Sequence, residues 1–230
     1  MNWLIENAGQ IWQLTLIHAG LSVPPIIVGL VLSVPIGWLA NRYRASRGTV
    51  LAIVGILYAV PSLPLFLVLP SIIGTKVLDP ANVVISLSIY AVAIMVRTAS
   101  DAFAAVDVDV LLAATAVGFS TWRRFWSVEL PLAGPVLLSG IRVVSVSTIS
   151  LVSVGSVIGV PSLGYFFLRG FQVGFPLEIG VGIVGTIVIA VVFDLILAGL
   201  GRVLMPWTHR RSRRTRVAIR DETPELVEAA

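Results

Sequence analysis

The sequence predicts an all-α integral membrane protein with about five transmembrane helices. Of its 230 residues, 57% are hydrophobic and 12% are charged, whereas about 25% of the residues in an ordinary soluble domain are charged. Several apolar runs are long enough to cross ~30 Å of hydrocarbon, which takes about 20 helical residues. These runs are continuous rather than alternating at every second residue, and this pattern is typical of membrane helices.

The first element is expected to be a short helix over residues 3–17 that lies on the membrane surface. Apolar and polar residues recur there at roughly helical spacing, and Trp3 and Trp12 suit the membrane interface. This helix leads into the first span, at residues 21–40. We expect His18, between the two, to be an interfacial polar residue rather than a ligand.

The second and third spans are predicted at residues 50–69 and 81–99. The second span contains the proline-rich sequence PSLP. Proline inside a membrane helix is tolerated where neighbouring groups or water satisfy the freed carbonyls. The sequence therefore indicates either a kink that faces a solute passage or a packing bend, and Pro61 and Ser62 are candidate passage residues.

A long polar segment at residues 107–131 follows the third span and is predicted to form two short helices. Asp107 lies near the start of the first helix, where a carboxylate interacts favourably with the helix dipole. Gly118 fits a helix stop, and Ser120 fits the cap of the second helix. Leu130-Pro131 is expected to end the segment before the fourth span.

The two short helices carry apolar side chains that need a cover. Arg123 and Arg124 add positive charge beside them. The segment either lies on lipid headgroups, which Trp122 and Trp126 would suit, or docks on a protein partner. The apolar residues are Leu111, Leu112, Val117 and Phe119.

The fourth and fifth spans are predicted at residues 132–158 and 179–204, and the tail at 207–230 is predicted to be disordered. The fourth span is the richest in hydroxyl groups, which favour close helix packing and hydrogen bonds between helices. Hydroxyls at i, i+3 and i+4 also share a face that can border a water-filled passage, and Thr148 and Ser153 are the candidates for that role. The hydroxyl residues are Ser145, Ser147, Thr148, Ser150, Ser153 and Ser156.

The distribution of Lys and Arg predicts the orientation in the membrane. These residues cluster in the first loop, the third loop and the tail, whereas the second and fourth loops contain Lys76 and Arg169. Because the basic side faces the cytoplasm, five spans place the N-terminus outside and the C-terminus and the 107–131 segment in the cytoplasm. The net charge of +4 is explained by this orientation, so we expect a lipid bilayer and no nucleic acid around the chain.

No catalytic or metal-binding constellation is visible in the sequence. The chain has no cysteine, its histidines are at opposite ends, and its one lysine, Lys76, is not part of a GxxxxGK[ST] phosphate loop. We therefore expect this chain to bind no cofactor. Any ATP-driven step would need a separate ATPase.

Asp194 is an intramembrane charge with apolar residues on both sides. Such a charge is a functional candidate by default. It either lines a passage, where it would bind a cation or a proton, or pairs with an arginine inside the bundle. Arg97 and Arg142 are both possible partners.

The pattern AA-x3-G-x11-LP, here Ala113-Ala114, Gly118 and Leu130-Pro131, resembles the EAA loop in permease subunits of binding-protein-dependent ABC importers of type I. In that family the two short helices dock in a groove of the cytoplasmic ATPase and transmit its closure to the membrane helices. The sequence YAVPSL at residues 58–63 is similar to the QTIPSL element of the subfamily that moves glycine betaine, carnitine, choline and similar osmoprotectants. Further matches are Val96-Arg97-Thr98, Ala105-Val106-Asp107, Glu129-Leu130-Pro131-Leu132, Gly140-Ile141-Arg142 and Asp194-Leu195.

The resemblance implies a permease domain at residues 1–206 in a bacterial inner membrane. Its implied partners are ABC ATPase subunits that bind ATP and Mg, a second permease chain (identical or related) and an extracytoplasmic solute-binding protein. Leu112 occupies the glutamate position of the motif, so an acidic contact with the ATPase is missing, and the glycine-rich end of the fourth span is only partly kept at residues 158–164. Both departures suit pairing with a different permease chain.

Other functions remain open. A permease for another small solute, such as methionine, also has five spans. A secondary transporter would use Asp194 for ion coupling, and inverted sequence repeats, which would favour it, are not visible. A third alternative is a membrane scaffold without transport activity, but such a scaffold would not require the hydroxyl groups of the fourth span.

Overall fold

The computed structural model describes residues 2–76 and 78–208, and all the regular elements in this part of the chain are helices. The predicted tail therefore lies almost wholly outside the described residues. A π-helical turn, Phe125–Glu129, joins α7 to α8, and a 3-10 segment, Ser153–Ile158, extends α8. The helices are α1 (Asn2–Glu6), α2 (Ala8–Arg42), α3 (Arg44–Ala59), α4 (Ser62–Ile73), α5 (Pro80–Ala104), α6 (Val108–Ala116), α7 (Thr121–Arg124), α8 (Leu130–Val152), α9 (Gly164–Val173) and α10 (Pro176–Leu204).

The predicted class, an all-α membrane protein with about five spans, is confirmed. Four continuous helical stretches in the described chain are long and apolar enough to cross a membrane: α2, α5, the stretch Thr121–Ile158 and α10. The pair α3 and α4 gives a fifth span if the two helices are counted together.

The separate surface helix predicted at residues 3–17 is wrong in its extent. Only α1 is a separate short helix, whereas residues 8–17 belong to the 35-residue helix α2. Leu14 is buried in a cluster with Ile149, Leu163 and Phe166. Leu14 and Ile11 therefore pack against the bundle, whereas Trp12 and Leu16 remain exposed.

The most extensive helix contact in the bundle is the seam between α2 and α5, which small residues make possible. A Cβ atom on Gly37 would lie 2.5 Å from the Cβ of Ala99, and one on Gly29 would lie 2.8 Å from the Cβ of Ala91. Between these contacts, the Ser33 hydroxyl donates a hydrogen bond to a carbonyl of α5 at 3.2 Å. The main apolar core lies between these two helices and α8.

The predicted second span is broken in the middle. Helices α3 and α4 meet at an angle of 100°, and Val60 and Pro61 between them have extended backbone conformations. The residue before a proline is restricted to such conformations, which explains why the helix ends here. The Tyr90 hydroxyl of α5 donates a hydrogen bond to the Val60 carbonyl, so the break is held against the bundle.

The 107–131 segment contains the two predicted short helices, but no break separates the second one from the fourth span. Helical structure continues from Thr121 through Leu130-Pro131 into α8. A proline ring normally collides with the carbonyl four residues earlier in an α-helix. The π-helical turn Phe125–Glu129 lies just before Pro131, and its wider winding leaves room for the ring.

Candidate functional site

Local hydrogen bonds define the two short helices of the 107–131 segment. The Asp107 carboxylate accepts a hydrogen bond from the backbone N–H of Asp109 at 2.8 Å, which caps α6. Gly118 has φ +91, a conformation that costs a residue with a side chain ~1–2 kcal/mol. The Ser120 hydroxyl then accepts from the backbone N–H of Arg123 and caps α7. The glycine and both polar caps were predictable from the sequence.

The two short helices present an apolar surface on the outside of the chain. Leu112 and Val117 are 62% and 78% exposed, and Trp122 and Trp126 extend the same surface. Leu111 instead packs against the main core. In the motif region, Ala113 and Gly118 are exposed, while Ala114, Leu130 and Pro131 are half-buried. The loop therefore has an inner side that anchors it and an outer side that has no cover within the described chain.

The two adjacent arginines differ in their surroundings. Arg123 is exposed, and its guanidinium carbon lies 4.5 Å from the centre of the Phe119 ring. Arg124 is largely buried, and its Nε donates to Oε1 of Glu129 at 2.8 Å. The charge of Arg124 is thus neutralised within the chain, whereas Arg123 presents its charge to the outside.

Glu129 is a buried carboxylate that sequence reasoning did not single out. Its side chain is 8% exposed, and its Oε2 accepts a hydrogen bond from the indole Nε1 of Trp38 at 2.6 Å. Arg124 also donates from Nη1 to the Thr115 hydroxyl at 2.9 Å. One continuous set of hydrogen bonds therefore joins α6, α7, the π-helical turn and α2. The charge just before Leu130-Pro131 was visible in the sequence, but its partner is 91 positions away.

Aromatic rings surround the same set of hydrogen bonds. Phe125 is buried, and its ring centre lies 5.0 Å from that of Trp38 and 5.9 Å from that of Phe103. Trp122 stacks on the outer side of Phe125 at 6.0 Å. Aromatic pairs at these separations add to the stabilisation that comes from burial. The base of the loop is therefore firmly packed against α2 and α5.

The partner of Asp194 is Arg142, and not Arg97. The Nε and Nη2 atoms of Arg142 donate to the two carboxylate oxygens of Asp194, each at 2.6 Å. Arg97 is exposed and makes no ion pair with a described residue. Which arginine reaches Asp194 depends on the relative rotation of α8 and α10, and tertiary packing sets that rotation.

The Arg142–Asp194 pair lies on the outside of the chain, in an open groove of about 420 Å³. Ser139, Val143 and Ser147 line the same groove along one face of α8. An ion pair that faced lipid inside a membrane would be costly. This face is therefore suited to water or to another protein subunit.

The four passage candidates lie in different environments. Pro61 is exposed at the break between α3 and α4, and Ser62 is half-buried. Thr148 is 3% exposed and belongs to the interior of the chain. Ser153 lines an open cavity between the end of α8 and α9. Their role in a passage stays a prediction, and contact between Thr148 and a solute would require helix movement.

His18 is a core residue, and the prediction of an interfacial position is wrong. Its side chain is fully buried. Its Nε2 lies 2.9 Å from the Ile149 carbonyl of α8, and its Nδ1 accepts from the backbone N–H of Leu163 at 3.3 Å. One neutral imidazole satisfies both contacts, with Nε2 as donor and Nδ1 as acceptor. His18 thereby joins α2 to the start of α9.

These features define a class of protein: a helical membrane protein with a two-helix loop between its third and fourth spans. The chain belongs to the family of binding-protein-dependent transport system inner membrane components, whose model matches residues 29–210. It is thus a multi-pass inner membrane protein and a permease subunit of an ABC importer, and the resemblance noted from its sequence is confirmed.

Relatives with described roles extend over most of the chain. It is 29% identical over 206 residues to the choline transport system permease protein OpuBB of Bacillus subtilis (strain 168), which covers 90% of this chain and 94% of the relative. It is 30% identical over 210 residues to the osmoprotectant import permease protein OsmW of Salmonella typhimurium, covering 90% of this chain and 97% of that protein.

The fold is also similar to that of a solved transporter. An inward-facing structure of the MetNI methionine ABC transporter contains a chain that matches with a TM-score of 0.75 and 17% identity, covering 86% of this chain and 97% of that one. At this identity the likeness concerns the fold alone.

Proposed function

We propose that this chain is the permease subunit of an ATP-driven importer that takes up a quaternary ammonium osmoprotectant, such as glycine betaine, carnitine or choline. The observation that carries the proposal is the similarity to permeases named for choline and osmoprotectant import, which extends over nine-tenths of the chain. The methionine transporter is similar in fold only, so it gives no support to a methionine substrate.

The 107–131 segment is proposed as the docking site for the ATPase, which would bind ATP and Mg. Its uncovered surface of Leu112, Val117 and Trp122 has the apolar, aromatic character of a protein interface core. Because Leu112 replaces the usual acidic residue, docking would depend on apolar contact, with Arg123 as the exposed charge beside it. If lipid headgroups cover this surface instead, substitutions in it should not reduce the amount of ATPase that co-purifies with the chain.

The orientation with the N-terminus outside and the C-terminus in the cytoplasm is part of the proposal. It is supported by the excess of arginine in the loops and tail of one side. A solute-binding protein would then deliver the substrate from outside. A second permease chain, identical or related, would complete the passage along the groove that contains Arg142 and Asp194.

The rival function, an ion-coupled secondary transporter, would require Asp194 to exchange a cation or a proton. Both oxygens of Asp194 are bound by one guanidinium, at 2.6 Å each. A cation at this carboxylate would have to displace Arg142. The geometry therefore favours a structural ion pair.

The proposal is tested by purifying the tagged chain from its own membranes and identifying the proteins that come with it. We expect an ABC ATPase. After reconstitution in liposomes with the candidate binding protein, uptake of radiolabelled glycine betaine, carnitine, choline and methionine is measured with and without ATP. Absence of an ATPase, or uptake that does not need ATP, contradicts an ATP-driven importer, and uptake of methionine alone contradicts the substrate class.

Two matched variants test the docking surface. Val117→Asp adds a charge at a position that is 78% exposed on the loop, and Phe171→Asp does so at a position that is 80% exposed on α9. We expect Val117→Asp to lose most of the co-purified ATPase and Phe171→Asp to retain it. Equal retention by both variants would show that the loop surface does not hold the ATPase.

A further inference from the structure

We propose that Glu129 is a positioning residue that couples movement of the docking loop to helix α2. The proposal rests on the function proposed above, because it requires an ATPase that moves the loop. Glu129 would neither touch the solute nor bind ATP. Its role would be to hold two elements of the chain in a fixed relation, so that displacement of one displaces the other.

The two oxygens of Glu129 face in different directions along the chain. Oε1 accepts from Arg124, and Arg124 in turn donates to Thr115 on α6. Oε2 accepts from the indole N–H of Trp38, which lies near the end of α2. The carboxylate is thus the only hydrogen-bonding group among the described residues that connects the α6–Arg124 contacts with Trp38. Displacement of α6 is therefore transmitted to α2 through three hydrogen bonds that join four side chains.

Burial makes the Arg124–Glu129 part of this connection rigid, whereas the contact with Thr115 at its outer end is exposed. Arg124 and Glu129 have side chains that are 20% and 8% exposed. Water therefore has little access to replace a broken contact, and a separated partner would be left as a buried, unpaired charge. The planar guanidinium of Arg124 also fixes the direction of its hydrogen bonds more strongly than a flexible ammonium group would.

The π-helical turn gives a second, independent reason to place a mechanical junction here. Phe125–Glu129 is the one stretch of π-helix in the described residues, and such turns are frequent at functional sites. Phe125, at its start, packs against the Trp38 ring at 5.0 Å, and Glu129, at its end, binds the indole N–H. Both ends of the turn therefore contact the same side chain of α2.

The test uses the complete complex of permease, ATPase and binding protein, and measures the solute imported for each ATP hydrolysed. Trp38→Phe removes the indole donor and keeps an aromatic ring against Phe125. Thr115→Val removes the hydroxyl that Arg124 contacts on α6. We expect each variant to lower the ratio of transport to ATP hydrolysis by about tenfold, the lower end of what the loss of a hydrogen bond to a charged group is worth, while hydrolysis stays near the wild-type rate.

Thr186→Val is the matched control, because the Thr186 hydroxyl donates to the carbonyl four residues earlier, as that of Thr115 does, but lies on α10 and makes no hydrogen bond to Arg124 or Glu129. Its transport ratio should equal that of the wild type. In the double variant, the effects of Trp38→Phe and Thr115→Val should not add, because both break the same route. A purely structural role predicts that hydrolysis and transport fall in proportion.

The outcomes separate this inference from the proposed function. If no ATPase co-purifies with the wild-type chain, the proposed function is contradicted. A complex that assembles and transports, but whose transport ratio is unchanged in Trp38→Phe and Thr115→Val, contradicts the role of Glu129 alone. A proportionate loss of both activities, with a lowered melting temperature, also overturns the coupling role.

Discussion

The Arg124–Glu129 and Arg142–Asp194 pairs of this molecule are built in different ways. Glu129 is buried and shares its oxygens between Arg124 and Trp38, on two different parts of the chain. Asp194 has a side chain that is 30% exposed and gives both oxygens to Arg142. The first pair is linked to a further element, α2, through Trp38, whereas the second joins only α8 and α10 and leaves its groove open. The Glu129 pair is therefore an internal connection, whereas the Asp194 pair lies on a surface that can face water or a neighbouring subunit.

The largest effect on stability is expected from Glu129→Ala. Removal of this carboxylate leaves Arg124 and the Trp38 N–H without their acceptor in a buried place, and breaking a buried ion pair costs about 3 kcal/mol or more. Asp101→Ala is the matched control, because Asp101 pairs with Arg47 at 2.9 Å but is 58% exposed, and exposed pairs contribute up to about 1 kcal/mol. Unfolding of both variants is followed in detergent by heating or by denaturant.

If the two variants lose similar stability, Glu129 does not form an internal connection stronger than an ordinary surface pair. The comparison between the two carboxylates would then lose its physical basis. Greater loss in Glu129→Ala, together with normal membrane insertion, would support it.

The second effect, smaller in stability but large in transport, is expected from Asp194→Asn. The substitution keeps the shape of the side chain but removes the charge that neutralises Arg142, which leaves an unpaired cation inside a membrane span. We expect the variant to be inserted and to lose most of its uptake, and the exchanged pair Arg142→Asp with Asp194→Arg to recover part of it. Uptake is measured in liposomes for all the variants.

Recovery in the exchanged pair would show that neutrality of the groove matters more than the position of each charge. Full uptake in Asp194→Asn would contradict a role for the pair. Loss of uptake in both variants, with normal assembly, would show that the guanidinium must lie on α8.

The sequence predicted the spans well because bilayer thickness fixes the length of an apolar helix. It also predicted Gly118 and the helix caps, which follow from local geometry. The small residues Gly29, Ser33 and Gly37, spaced four apart, were a readable signal of a close helix contact, although their partners on α5 were not identifiable.

Contacts that depend on tertiary packing were beyond the sequence. The helix continues through Pro131 because a π-helical turn precedes it, and no residue type marks such a turn. Trp38 and Glu129 are separated by 91 positions, and the partner of Asp194 depends on the rotation of two helices. The same limit applies to His18, whose burial follows from the packing of α2 against α8 and the start of α9.

The smallest effect on function, and the most direct probe of the open groove, is expected from single cysteine substitutions. The natural chain has no cysteine, so each introduced thiol is the only one. Ser147 lines the groove, whereas Ser145, two residues earlier on the same helix, is fully buried. Both substitutions replace a hydroxyl by a thiol of similar size, so we expect uptake to change little.

A membrane-impermeant maleimide applied to the reconstituted complex, with access to both sides, should label Ser147→Cys faster than Ser145→Cys if the groove is filled with water. Protection of Ser147→Cys in the assembled complex but not in the separated chain would instead place a second permease subunit over the groove. Equal labelling of the two positions in both preparations would contradict the division between an inner and an outer face of α8, on which the comparison of the two carboxylates depends.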